Sequence, residues 1–273
     1  MDKVVVIGLG EVGRAVYHIL KSSMKYEIYG YDIDPSKTLN KYEELPQQVD
    51  LLHITFPYSG KFTEQVCGYV ERFRPKMVVI HSTVVPGTTR KIFQKINITT
   101  VFSPVRGKHP NLVKHLYFWP KWIVSLPSSE VEKAVQHLNL AGFKVRVYKG
   151  APESIELAKL WETVYRAIMI ASWQEIHRVA RIYGAEIEAI AEFIGEVHKV
   201  LGDRPIYYPD HIGGHCLIPN TKILNEAYPS KLFEFVLKSN ELRLKELNNE
   251  DIKKEVERVK EIVLRFINKE YYE

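Results

Sequence analysis

Val4-Val5-Val6-Ile7-Gly8-Leu9-Gly10-Glu11-Val12-Gly13 decides how this chain is read. A β-branched run enters a Gly-x-Gly-x-x-Gly turn, an amphipathic stretch from Glu11 to Leu20 follows, and Asp32 ends the next β-rich run 19 residues past Gly13. Strand before, helix after and acid at that distance make up the dinucleotide-binding fingerprint. Gly8 permits the tight turn, Gly10 removes the side chain that would block a pyrophosphate, and Gly13 lets helix and strand pack closely. The helix N-terminus offers free N–H groups and a positive dipole end to phosphates. An Asp32 carboxylate accepts hydrogen bonds from both ribose hydroxyls and repels a 2′-phosphate, so NAD is expected rather than NADP. The expected cofactor contacts are Gly8, Leu9, Gly10, Glu11, Val12, Gly13, Asp32 and Ile33, joined by Phe56, Ser82 and Thr83 near the ends of later strands.

Outward from the fingerprint, short β-branched runs alternate with amphipathic segments, the pattern of βα units around a parallel sheet. Candidate strands are 3–7, 26–32, 49–56, 76–81, 99–103, 121–125 and 144–148; candidate helices are 11–20, 35–42, 63–73, 88–96 and 128–140. The fold class expected is α/β, a Rossmann doubly wound parallel sheet followed by an all-helical domain built on one long helix. From Pro152 the strand pattern stops, and 154–183 reads as a single helix, roughly 45 Å long. Its apolar positions, among them Leu157, Trp161, Ile168 and Ile176, exceed one narrow stripe, which predicts a homodimer through this helix. Further helices are expected at 187–201, 231–247 and 251–268, with 202–216 a loop. The boundary falls near Gly150: residues 1–150 form the NAD-binding domain, and 151–273 the helical dimerisation and substrate domain.

The chain has 273 residues, and 45% of them are hydrophobic, which excludes a disordered chain. No window approaches the roughly 18 apolar residues of a membrane span. Val4 to Ile7 is too short for a signal-peptide core and is broken at once by Gly8 to Arg14. The two cysteines, Cys67 and Cys216, stand far apart, so no disulfide framework is expected and the cytoplasm is the expected compartment. A net charge of +5 over mixed charges is too weak for nucleic-acid binding but suits a small anionic substrate. Asp210, His211, His215 and Cys216 cluster, yet no Cys-x-x-Cys or second histidine pair accompanies them, so no metal is expected. His53 and His81 fall at or near strand ends, where the carboxyl edge of the sheet meets a cofactor, and read as hydrogen-bonded structural histidines.

Three further segments resemble the nucleotide-sugar 6-dehydrogenase family, which includes UDP-glucose, GDP-mannose and UDP-N-acetylmannosamine dehydrogenases. His81-Ser82-Thr83-Val84-Val85-Pro86-Gly87-Thr88-Thr89 is similar to its Ser-Thr-x-x-Pro-Gly-Thr loop after the fourth strand. Glu156-Leu157-Ala158-Lys159-Leu160, with Gln174-Glu175 further on, is similar to its long central helix with an active-site lysine. Ile212-Gly213-Gly214-His215-Cys216-Leu217-Ile218-Pro219-Asn220 resembles the Gly-Gly-x-Cys-Leu-x-x-Asp motif with its nucleophilic cysteine. The resemblance implies oxidation of an alcohol to a carboxylate in two steps, each passing a hydride to NAD, with a thiohemiacetal between them. It makes Cys216 the nucleophile, Lys159 the oxyanion stabiliser or water-mediated base, and Thr83 a positioner of water or nicotinamide.

The chain departs from that pattern at three polar positions. Thr163 stands where the family has an asparagine, and Asn220 where it has an aspartate; both are expected among the catalytic residues. Ser103-Pro104-Val105 replaces Ser-Pro-Glu after the fifth strand, with His109 close behind as a substitute. The family also continues with a second nucleotide-binding domain, whereas this chain ends about 57 residues after Cys216. Two alternatives follow: a non-catalytic NAD-binding sensor or scaffold, or a subunit of a complex whose partner supplies the missing domain.

Overall fold

The computed structural model describes residues 1–265 and divides into two compact units, Met1–Lys159 and Leu160–Glu273. The first holds seven strands: β1 (Asp2–Ile7), β2 (Tyr26–Tyr31), β3 (Leu51–Ile54), β4 (Met77–Ile80), β5 (Thr99–Phe102), β6 (Lys121–Leu126) and β7 (Val145–Val147). Between them run α1 (Glu11–Ser22), α2 (Phe62–Phe73), α3 (Thr88–Ile96), α4 (Leu112–Phe118) and α5 (Val131–Leu140). The sheet order is β2-β1-β3-β4-β5-β6-β7. Strands β1 to β5 are parallel, as expected for βα units. A correction is needed at one side: β6 runs antiparallel to β5, and β7 parallel to β6.

Both faces of the sheet are buried, and the strands sort their side chains by parity. Val4, Val6, Leu51, Met77, Val79, Val101 and Ile123 join one core with α1, α4 and α5. Val5, Ile7, Leu52, Ile54, Val78, Ile80, Phe102 and Val124 join the other with α2. Continuous apolar runs are what a doubly covered sheet requires. The order reverses between β1 and β3, so a crevice opens outside their carboxyl ends, where ligands of such sheets bind.

The helix expected at 35–42 is absent. Asn40 instead pairs with edge strand β2: Gly30 N–H donates to Asn40 Oδ1 (2.9 Å) and Asn40 N–H to the Gly30 carbonyl (3.0 Å). Asp34 Oδ1 accepts both the N–H and the hydroxyl of Ser36. Such side-chain bonds offer the backbone an alternative to helix.

The division into units falls two turns into α6 (Pro152–Tyr183), past the boundary expected near Gly150. The second unit holds the rest of α6, then α7 (Ile187–Leu201), α8 (Leu217–Ala227), α9 (Lys231–Glu246) and α10 (Glu250–Val263). Residues 266–268, expected at the end of the last helix, lie outside the described residues. Helix α8 was not expected from the sequence; Pro219 sits in its first turn, where the missing N–H costs nothing.

Candidate functional site

At the carboxyl end of β1 the chain must turn within one residue, and Gly8 does so at φ +93°. A Cβ there would lie 2.6 Å from the Phe56 backbone nitrogen, so the segment after β3 presses directly on the turn. A Cβ on Gly13 would meet the Gly8 carbonyl oxygen at 1.7 Å and Thr55 Oγ1 at 2.7 Å. Helix α1 thus packs on the strand with no room for a methyl group. Thr55 donates its hydroxyl to the Ile7 carbonyl (2.8 Å) and closes the joint.

Gly10 is different: a Cβ there would find no atom within 4 Å. This glycine is dispensable to the fold and leaves a cradle over the first turn of α1, which it precedes as N-cap. The Asp32 carboxylate sits beside the turn, accepting the N–H of Leu9 (2.6 Å) and of Asp34 (2.9 Å). These residues fit NAD: an open glycine facing free helix N–H groups, and a carboxylate held at the end of β2. Leu9 is fully buried, so its side chain belongs to the core and only its backbone borders the turn. Glu11 and Ile33 are exposed and Val12 is half-buried.

Phe56 and Ser82 are tied together, because the Ser82 hydroxyl donates to the Phe56 carbonyl at 2.6 Å. The loop from Ser82 through half-buried Thr83 therefore stands beside the glycine turn at the same edge of the sheet. Its far end is clamped by Glu156, fully buried in the first turns of α6. That carboxylate accepts the N–H of Gly87 (2.6 Å), the N–H of Thr89 (2.8 Å) and the Thr89 hydroxyl (2.6 Å). These are the open amides at the start of α3, where negative charge is favoured. Burial holds the Glu156 carboxyl above its ordinary value, and the three hydrogen bonds offset only part of that rise. Two of the sequence motifs are thus one joint, reinforced by the ion pair of Arg90 with Glu153 at 2.6 Å. Glu156→Ala strands three donors and is expected to cost about 3 kcal/mol. Chemical denaturation measures it, and an unchanged midpoint would show that the clamp adds no stability.

In the helical unit, Cys216 is an exposed free thiol at the N-cap of α8. The loop before it is anchored from beneath by buried side chains of α6 and α9. Ile212 N–H donates to Asn240 Oδ1 (2.6 Å), and Gln174 Nε2 donates to the Asp210 carbonyl (2.7 Å). Ser239 donates to Gln174 Oε1, and Arg243, 1% exposed, donates to the Gln174 carbonyl at 3.0 Å. The Gln174 of the second motif is therefore a fastening for the loop of the third.

Thr163 and Asn220 turn out to be partners. Both are 6% exposed; Asn220 Nδ2 donates to Thr163 Oγ1 at 2.8 Å, and that hydroxyl donates to the Leu160 carbonyl at 2.9 Å. Expected among the catalytic side chains, they are placed as a buried bond between α8 and α6. The two departures from the family pattern meet in one hydrogen bond. Lys159 is half-buried on α6, one turn before Thr163. His109 is exposed, 4.0 Å from Glu11 Oε1. Among the described residues no group of acidic, histidine and cysteine side chains is arranged to hold a metal ion.

His53 and His81, expected as hydrogen-bonded structural histidines, are buried and hydrogen-bonded, and they belong to a polar cluster in the first unit with Lys121 and His137, two residues not expected there; none of the four is more than 5% exposed. Parity places His53 on the α5-facing side of the sheet.

Residues 153–242 match the central domain of the UDP-glucose/GDP-mannose dehydrogenase family. The chain is 23% identical to the UDP-N-acetyl-D-mannosamine dehydrogenase of Methanocaldococcus jannaschii, over 98% of this chain and 70% of that protein. It is 24% identical to the UDP-glucose 6-dehydrogenase of Campylobacter jejuni, over 89% of this chain and 73% of that one. Among solved structures, the UDP-D-ManNAc dehydrogenase of Pyrococcus horikoshii superposes with a TM-score of 0.74 at 21% identity, covering 88% of this chain and 68% of that one. The resemblance read from the motifs and the Rossmann-type fold are both shown by these matches.

Proposed function

We propose that this chain, which carries the central domain of the UDP-glucose/GDP-mannose dehydrogenase family, is an NAD-dependent oxidoreductase acting on an alcohol or aldehyde carbon of a nucleotide sugar. The observation that carries the reading is the complete glycine turn, in which Gly10 alone opens on free space and Asp32 stands fixed beside it. NAD, when bound, accepts the hydride that leaves the substrate carbon. The amides after Gly10 hold the pyrophosphate, Asp32 accepts from the ribose hydroxyls, and Ser82 and Thr83 line the nicotinamide end. The Cys216 thiolate adds to the aldehyde carbon, forming the C–S bond as the carbonyl electron pair moves to oxygen. Lys159 stabilises that oxyanion. Thr163 and Asn220 position α8, and with it Cys216. A positive net charge favours an anionic, uridine-diphosphate-bearing substrate. NADH formation by the purified protein from UDP-N-acetylmannosamine or UDP-glucose tests the reading, with a simple polar alcohol as comparison.

The same reading includes a homodimer through α6. Its described surface in the second unit exposes Trp161, Tyr165, Ile176, Val179, Ile182 and Tyr183. So many large apolar side chains on one helix mark a contact surface. Replacing Trp161 and Tyr165 together by glutamate is expected to convert a dimer to a monomer in light scattering; an unchanged mass would place the interface elsewhere. No helix among the described residues is long and apolar enough to cross a membrane. Two free cysteines fit the reducing cytoplasm.

A further inference from the structure

Three imidazoles and an ammonium form an unbroken hydrogen-bonded line through the core of the first unit. His137 Nε2 lies 2.9 Å from His53 Nε2, His53 Nδ1 lies 2.8 Å from His81 Nε2, and His81 Nδ1 lies 3.1 Å from Lys121 Nζ. Lys121 Nζ also donates to the carbonyls of Ser103 (2.9 Å) and Pro104 (3.4 Å). One end of the line is therefore the Ser103–Pro104 turn, at the same edge of the sheet as Gly8, Phe56 and Ser82. The other end is His137 Nδ1, a buried nitrogen with no hydrogen-bond partner among the described residues.

We propose that this line is a proton relay in which the charge of Lys121 and the tautomers of the three histidines change together, making Lys121 a positioning residue for the Ser103–Pro104 turn. A neutral imidazole donates from one nitrogen and accepts at the other, so each ring copies the polarity of its neighbour. With Lys121 charged, it donates to His81 Nδ1, His81 Nε2–H donates to His53 Nδ1, His53 Nε2–H donates to His137 Nε2, and His137 carries its proton on Nδ1. When one proton leaves His137 Nδ1 for solvent, which reaches this buried nitrogen through local opening of α5, the proton on His53 Nε2 crosses to His137 Nε2. That on His81 Nε2 crosses to His53 Nδ1, and one on Lys121 Nζ crosses to His81 Nδ1, which then donates to the Ser103 carbonyl (2.9 Å). Every ring is neutral before and after, and the charge lost is that of Lys121.

The surroundings favour this exchange. Among the described residues the Lys121 ammonium meets no carboxylate; beside it stand His81, Arg106 from the segment after β5, and the Phe143 ring at 5.6 Å. Burial first, and Arg106 second, push Lys121 down to about 7. Burial pushes His137 down to about 4 and holds His53 and His81 well below their ordinary value, so the rings stay neutral while the lysine titrates. Tyr26, whose hydroxyl donates to the His137 carbonyl, is pushed up to about 12 by burial and then by Asp2, and so keeps its proton.

Ring-labelled 15N-histidine NMR of the whole protein tests the relay from about pH 6 to about pH 9. The three histidines are expected to exchange pyrrole-type and pyridine-type nitrogens at a single shared midpoint, without forming imidazolium. In Lys121→Met they are expected to hold the high-pH set throughout: Nδ1–H on His81 and His53, Nε2–H on His137. Separate midpoints, fixed tautomers in the unsubstituted protein, or a Lys121→Met variant that titrates like it would overturn the relay. If the variant does not fold, the unsubstituted protein's titration decides alone. The effect on turnover rests on the proposed oxidoreductase activity: Lys121→Met is expected to flatten the near-neutral limb of kcat while leaving KM unchanged. A retained limb contradicts the positioning role, and absence of NADH formation contradicts the oxidoreductase reading while the NMR still judges the relay.

Discussion

Gly13→Ala is expected to lower the stability of the protein by about 3 kcal/mol or more, while Gly10→Ala costs no more than about 1 kcal/mol, the difference between glycine and alanine at an N-cap, and weakens cofactor binding. The added methyl at position 13 falls 1.7 Å from the Gly8 carbonyl oxygen, a backbone atom at the hinge of the turn. Relief requires α1 to lift off β1, which opens the core formed by Val4, Val6, Val16 and Ile19. The same methyl at position 10 meets nothing, and Gly10 has φ −68°, which alanine adopts freely. Its main effect is to fill the space a pyrophosphate needs, so NAD affinity should fall at least about tenfold, or 1.4 kcal/mol. Urea unfolding and calorimetric titration with NAD measure the two terms separately. Equal stability losses in both variants would mean that Gly10 serves the fold and not the cofactor.

The second large effect is expected at Cys216. Cys216→Ser should reduce kcat by at least about 1000-fold, the scale on which removing an essential nucleophile acts, with NAD affinity and unfolding midpoint unchanged. The loop is held through Ile212 by Asn240 and through the Asp210 carbonyl by Gln174, so neither fastening involves the thiol. Cys216 is exposed and forms no disulfide, and removing its sulfur strands nothing in the core. A loss of activity is then chemical rather than structural. Full turnover in the serine variant would eliminate the covalent step and leave direct hydride transfer.

What the sequence disclosed follows from the range of the interactions. The glycine turn, Asp32 and the parity of β1 are local patterns within about 30 residues, and each was readable. Helix 187–201 and the long helix were equally plain from periodicity. Antiparallel β6 was not, because a strand buried on both faces carries the same apolar run in either direction. The segment 35–42 failed as a helix because Asn40 bonds back to Gly30, and a local propensity argument does not contain that bond. Thr163 and Asn220 looked like two independent departures because they are 57 residues apart, and only the fold makes them one bond. The relay was hidden for the same reason: His53 meets His81 and His137 at separations of 28 and 84 residues.

The proposed oxidation is tested most directly by the NADH formed per molecule of nucleotide sugar when purified protein, saturated with NAD, consumes a limiting amount of UDP-N-acetylmannosamine or UDP-glucose. NADH is expected to rise to at least one equivalent of the sugar, and Gly10→Ala is expected to need at least about ten times more NAD to reach the same rate. A protein that binds NAD yet forms no NADH from either sugar would contradict it, and would leave a nucleotide-binding fold without the oxidation.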